Sequence, residues 1–403
     1  MSSIGTDTES PAAFKKASLW SKTFIFTFFA NFLVYFCVQG LWPIVPLYIV
    51  VMGGDERLVG LYAGAFTLVN MLMRPVSGML LDRFDRRAVL VAGAALLALV
   101  IAGYNFASAL SLLLLVRMMH GASNSLANTS ITTVASGLLP PARLGEGMGL
   151  FSLSTSISIA LAPAAAILVL NRAGFSGVFL ANCLLAFTAL FIILLSVRVI
   201  PAQQVRPQAP PSRLQWSDFF ESQALPAAVI ILLVNNIFGI LTSFIPLFAA
   251  ELGIGNSGLF FTALASTTML SRPLAGRWAD SKGADKLIAM GLILTVVSLI
   301  ITSRSSGIVH LIIAGLLFGF GLTVFLPTMQ ALLLKKVSLA RRGAAMGTFL
   351  TGFDLGNGIG AAVGGVLAST YGFRVTFLLG ILPISLAALV YFLSGIGRVE
   401  SRG

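Results

Sequence analysis

Two residues carry a full charge inside stretches that are otherwise apolar. Arg117 stands in "LLLLVRMMHGASNS" and Asp354 in "MGTFLTGFDLGNGIG". A carboxylate in such a setting either carries protons, balances a cation, or makes a structural hydrogen bond in a packed bundle. The guanidinium is either part of that chemistry, a static ion pair, or a snorkelling side chain. His120, one turn after Arg117, is either a proton carrier or a neutral hydrogen-bonded ring. The proton-handling set is therefore Asp354, Arg117 and His120.

Arg117, His120, Asn124 and Asn128 fall at i, i+3, i+7 and i+11, a single helical face. Asn31, Tyr35 and Gln39 form a second stripe, and Asn235 and Asn236 a third, followed by Thr242. Polar stripes on apolar helices face a cavity or another helix, not lipid. The first reading makes Asn31, Tyr35, Gln39, Asn124, Asn128, Asn235 and Asn236 solute contacts. The second makes them interhelical hydrogen bonds, each worth under about 2 kcal/mol.

The elements that position these residues follow from composition. The 403 residues are 57% hydrophobic and 10% charged, with mean hydropathy +0.96. A soluble domain carries about 25% charged residues, so most of this surface must face lipid. A membrane helix needs about 20 apolar residues. Twelve segments qualify: 22–51, 58–81, 87–106, 109–138, 145–170, 175–198, 224–251, 257–279, 285–303, 307–334, 343–369 and 373–396. The fold class is an all-α membrane protein.

The net charge of +12 does not point to nucleic acid, because the basic residues sit in short loops rather than in one patch. Of the 26 Lys and Arg residues, four (Arg57, Arg172, Arg304, Arg374) lie in loops of one parity. Apart from Arg117, the rest lie at the termini or beside loops of the other parity. The positive-inside rule places that side, and both termini, in the cytoplasm. Residues 1–21 read as an N-terminal tail and 398–403 as a C-terminal tail. Residues 199–222, with four prolines, read as a cytoplasmic linker between bundles 22–198 and 223–397.

Cys37 and Cys183 lie in apolar runs and read as buried hydrophobes. Two His and two Cys make a metal cluster unexpected, and no phosphate loop of the GxxxxGK[ST] kind is present. No cofactor and no enzymatic site are expected.

The chain repeats itself. A shift of 198 residues places Arg74-Pro75 on Arg272-Pro273, Gly78 on Gly276, Asp82 on Asp280, Gly121 on Gly319 and Gly174-Phe175 on Gly372-Phe373. It also places "ARLGEGMGLF" on "ARRGAAMGTF". The first helix pair shifts by two more, with "VPLY" on "IPLF". Six helices per unit make the repeat parallel, around an axis normal to the membrane, with a cavity between halves that rock.

These residues resemble the major facilitator superfamily over essentially the whole chain. Its motif Gly-x-x-x-Asp-Arg-x-Gly-Arg-Arg appears as "GMLLDRFDRR": Gly78, Asp82, Arg83, Arg86 and Arg87 match, and Asp85 replaces the second Gly. The copy "GRWADSKGAD" keeps Gly276, Asp280 and Gly283. "RMMHGASNS" resembles the Arg-x-x-Gln-Gly motif of the proton-driven exporters, with His120 in place of Gln. The drug:proton antiporter motif Gly-x-x-x-Gly-Pro-x-x-Gly is represented by Ser158, Ala162, Pro163 and Ala166, while its repeat position has Gly356, Gly360 and Gly364 without the Pro.

The resemblance implies two six-helix bundles with helices 1, 4, 7 and 10 around the cavity. It implies a monomeric secondary transporter of the inner membrane whose partners are a small-molecule substrate, protons and the bilayer. Drug-like amphiphiles or a secreted metabolite such as a metallophore fit as exported solutes. An uptake symporter or facilitator, and a non-transporting sensor or lipid scramblase, remain open. The doubled elbow reads as a cytoplasmic gate. Asp82 would meet the N-terminal end of helix 11 near Arg341 and Arg342, and Asp280 the start of helix 5 near Arg143.

Overall fold

The structure, a computed structural model, describes residues 21–140, 143–199, 221–338 and 341–397, with backbone alone at 145, 272–282 and 343. Most of the linker, residues 1–20 of the N-terminal tail, the C-terminal tail and the side chains of Gly276 and Asp280 lie outside the described residues.

All regular structure among the described residues is helical. In lipid a helix satisfies its own backbone, so apolar sequence of this length folds this way. The first helices are α1 (Lys22–Val51), α2 (Glu56–Arg83), α3 (Arg86–Gly103) and α4 (Leu110–Gly137). A continuous helical run, Leu144–Val197, breaks at Gly174 into α5 (144–173) and α6 (175–197). The second half has α7 (Leu225–Glu251), α8 (Gly258–Lys282), α9 (Ala284–Ser303) and α10 (Ile308–Lys336). The run Arg342–Leu379 breaks at Gly372 into α11 (342–371) and α12, which continues past Gly380 to residue 394.

The repeat is visible in the backbone. Gly174 (φ 66°, ψ −172°) and Gly372 (φ 77°, ψ 166°) hold the same conformation, one essentially restricted to glycine. Gly53 (φ 86°) and Gly253 (φ 68°) end α1 and α7 in the same way. Packing follows the same symmetry. In the first half α1 lies on the α5–α6 hairpin and α2 on α4; in the second, α7 lies on the α11–α12 hairpin and α8 on α10. Large side chains such as Leu99, Leu184, Phe191, Leu389 and Phe392 are exposed and form the lipid-facing belt.

The two elbows solve one turn differently. Gly283 adopts φ 78°, ψ 144°. Its repeat partner Asp85 stays at φ −56° and caps α3, its carboxylate accepting from the backbone N–H of Arg87 at 2.9 Å. The Arg87 guanidinium adds a contact at 2.8 Å and holds the Asp85 carboxyl below the usual carboxylate range. Glycine is therefore needed only in the second elbow. Gly283→Ala should cost about 1–3 kcal/mol, whereas Asp85→Gly should cost far less, glycine being a fair N-cap. Thermal unfolding of the two variants in detergent tests the contrast.

Candidate functional site

The halves meet at the end opposite the termini. α2 and α11 pack backbone to backbone there: a Cβ at Gly60 would overlap the carbonyl of Ala361, and one at Gly365 that of Glu56. Arg57 Nε donates to Ser369 Oγ at 2.9 Å across the same seam. On the opposite seam a Cβ at Gly258 would overlap the α5 backbone at Ala164. Thr262 Oγ1 donates to the Ala160 carbonyl at 2.6 Å, and Asn171 Nδ2 to that of Gly255 at 2.8 Å. α1 packs against α7, with the Trp42 and Phe238 rings 5.8 Å apart, whereas α4 and α10 make no comparable contact.

Deeper along the α2–α11 seam lies one ion pair. Arg74 Nη1 is 2.8 Å from Asp354 Oδ2, and Nη2 donates to Oδ1 at 3.3 Å. The Asp354 side chain is 7% exposed and that of Arg74 42% exposed. Asp354 also lines a groove of about 330 Å³ between α2 and α11, with Leu61, Leu68, Met71 and Ile359. A charge in so apolar a cleft needs its partner, and losing such a pair costs about 1–3 kcal/mol, between exposed and buried pairs.

Glycine places Asp354 in this seam. Gly352, Gly356 and Gly360 lie so close to α7 that a Cβ at each would overlap the carbonyls of Ala228, Leu232 and Asn236. That face of α11 is thereby fixed against α7, and Asp354 is turned towards α2.

Arg117 belongs to a separate network. Its guanidinium lies 4.3 Å from the Phe66 ring centroid and 3.5 Å from both Tyr104 Oη and His120 Nδ1. Because Arg only donates, Tyr104 accepts from it and passes its own hydrogen to His120 Nδ1 at 2.9 Å. The Asp354 carboxylate is paired with Arg74 rather than with Arg117. Sequence reasoning counts Arg74 with the surface charges of the elbow. The structure places it nine residues before the end of α2, about 14 Å deeper.

Several stripe residues turn to neighbouring helices. Asn31 Nδ2 donates to Ser154 and Thr155 of α5 at 2.7 and 3.1 Å. Asn235 Nδ2 donates to the Phe353 carbonyl of α11 at 2.6 Å. Asn128 donates to Asn124 at 2.8 Å, and Asn124 to Asn70 of α2 at 3.0 Å. For Asn31, Asn124 and Asn235 the interhelical reading describes the contacts, while the Asn128 bond stays within α4. Tyr35, Gln39 and Asn236 are half-buried.

The fold fits a known pattern. The sequence profile of the Major Facilitator Superfamily matches residues 27–271 and 255–401. The chain belongs to this superfamily. Relatives of this major facilitator protein include the staphylopine export protein of Staphylococcus aureus, 25% identical over 81% of this chain and 85% of that protein. The multi-drug resistance efflux pump PmrA of Streptococcus pneumoniae is 22% identical over 89% and 92%. The multidrug resistance protein MdtG of Escherichia coli is 24% identical over 89% and 91%. Similar solved structures include the nucleoside transporter NupG, TM-score 0.78, 14% identical over 92% of this chain and 99% of that one. A bacterial homologue of the human lysosomal transporter Spinster, in an inward-facing and unoccupied conformation, also scores 0.78, at 14% identity over 95% and 98%. This major facilitator protein is accordingly a multi-pass membrane transporter, not an enzyme.

The expected clasp at Asp82 of this major facilitator protein is not formed among the described residues. Asp82 is exposed and makes no hydrogen bond or ion pair among the described residues. Arg341, its expected partner, instead donates from Nε to Glu221 Oε2 at 2.8 Å, which holds the Glu221 carboxyl below the usual carboxylate range. Arg143 pairs with Glu146 at 2.9 Å. Arg342 and Arg83 are exposed, Arg86 begins α3, and a Cβ at Gly78 would meet nothing within 4 Å.

Proposed function

We propose that this protein exports small organic molecules by proton antiport, with two six-helix halves rocking about a central site. The observation that carries the reading is the Arg74–Asp354 pair, a charged link between the halves that lies deeper than their close glycine packing at the far end. Asp354 is the proton-coupling residue. In its charged form it holds Arg74 and keeps the halves together at mid-depth; a proton on it releases Arg74 and loosens the seam. With both termini cytoplasmic, as the loop charges suggest, the closed end is the outer one and the conformation faces inward. The unclasped Asp82 fits that state, with the elbows clasping across the cytoplasmic side once the outer end opens.

The exporter direction is supported by relatives named for export and efflux. Amphiphilic drugs or a secreted metabolite are the proposed solutes, and the protein acts as a monomer. Transport in inverted membrane vesicles, made acidic inside and screened with amphiphilic fluorescent compounds, tests it. Accumulation that collapses on adding a protonophore is expected. Accumulation only under the opposite gradient would make the protein an uptake symporter.

A further inference from the structure

Around Arg117 the structure gathers buried donors that no protein acceptor uses. Arg117 is 5% exposed, and its Nε–H has no partner. Among the described residues it makes no ion pair with a carboxylate. Trp42 lines the same cavity, and its buried Nε1–H has no partner either. Facing them from the other half are Thr242 and Ser243 of α7 and Asn357 of α11. The cavity has a volume of about 30 Å³, room for a water-sized group rather than a whole solute.

A guanidinium stays charged at any accessible pH and presents its N–H groups as a fork suited to an oxyanion. Buried without a counter-charge it is costly, and the π-face of Phe66 meets only part of that cost. Tyr104 and His120 lie at the limit of hydrogen-bond reach, at 3.5 Å. Positive charge, a second free donor and a small volume together define a receptor for negative charge.

We propose that this cavity is an anion site. It takes one small anionic group, the carboxylate of a carried solute or a free halide, on Arg117 Nε and Trp42 Nε1. Its walls come from α1, α2 and α4 of one half and from α7 and α11 of the other. A bound anion therefore touches both halves near the closed end and holds that end shut. The site stands apart from the Arg74–Asp354 pair and does not depend on the coupling role given to Asp354.

Thermal unfolding of the purified full-length protein, with chloride or acetate titrated in at constant ionic strength against the bulky sulfonate of a HEPES buffer, tests the site without transport. A saturable rise in melting temperature is expected. Trp42→Phe should weaken the apparent affinity roughly tenfold through loss of one charge-assisted hydrogen bond, and Arg117→Gln should abolish the response. Trp42→Phe and Arg117→Lys keep the test open if Arg117→Gln does not fold. Competition between acetate and chloride identifies the carboxylate as an occupant, and a response to chloride alone identifies a free halide. No saturable response in the wild type, or the same response in Trp42→Phe and Arg117→Lys, would overturn the proposal.

Discussion

Asp354→Asn is expected to abolish uphill transport while leaving downhill exchange intact. The amide has the size and hydrogen-bonding capacity of the carboxylic acid, so the packing of α11 against α7 and α2 is kept. It cannot bind and release a proton, and it cannot pair with Arg74 as a charge. Loss of a pair whose Arg74 side is 42% exposed is worth about 1–3 kcal/mol, between exposed and buried pairs, which in a two-state balance means roughly five- to a hundredfold. The variant should therefore dwell in the states that the proton-loaded protein visits. Counterflow of labelled solute, which needs no net proton movement, should persist at a rate within a few-fold of the wild type. Gradient-driven accumulation should fall to background. Arg74→Gln should be the milder change if it folds, because Asp354 keeps its proton chemistry and loses only its partner.

The second large effect is expected at Gly60. A Cβ there would overlap the Ala361 carbonyl across the seam. A main-chain oxygen in the middle of α11 cannot move aside as a flexible side chain would. Gly60→Val should therefore prevent the halves from meeting at the end opposite the termini while leaving each bundle folded, because the contact lies between bundles. Overpacking of this kind costs about 1–3 kcal/mol, a shift of roughly five- to a hundredfold in the population of the closed form. A cysteine placed at Thr67, which lies against Gly358 in the seam, should become reactive to a membrane-impermeant maleimide added from outside. It should stay protected in an otherwise unaltered protein. Gly78→Ala is the control, since a Cβ there meets nothing within 4 Å.

Much of the architecture is legible in the sequence because lipid leaves few choices. Long apolar runs become helices, and the shift of 198 residues reveals two units before any packing is known. The hairpin breaks at Gly174 and Gly372 lie on that repeat as well. Asp354 stands out for a similar reason: a lone carboxylate in an apolar helix has to be accounted for. Its partner is harder to find. Arg74 belongs by sequence to a run of basic residues at a helix end, and only the continuation of α2 to Arg83 shows that it lies within the seam.

The polar stripes are ambiguous for a different reason. A cavity and a neighbouring helix both demand polar groups at helical spacing, so periodicity cannot separate them. Rotation about the helix axis decides, and close glycine packing sets it. Gly352, Gly356 and Gly360 fix α11 on α7, and Asn235 then meets the Phe353 carbonyl rather than open space. Asp85 shows the converse. An Asp directly before a helical run is a standard N-cap signal, and it accounts for the turn without the glycine found in the second elbow.

Asp354 is the proposed carrier of the coupled proton. This role is tested most directly by recording proton movement in proteoliposomes of wild type and Asp354→Asn, with a pH-sensitive dye inside and a transported solute added. Solute-dependent proton flux opposite to the solute is expected in the wild type and none in Asp354→Asn, while solute exchange continues in both. Equal solute-dependent proton flux in the two proteins would contradict it.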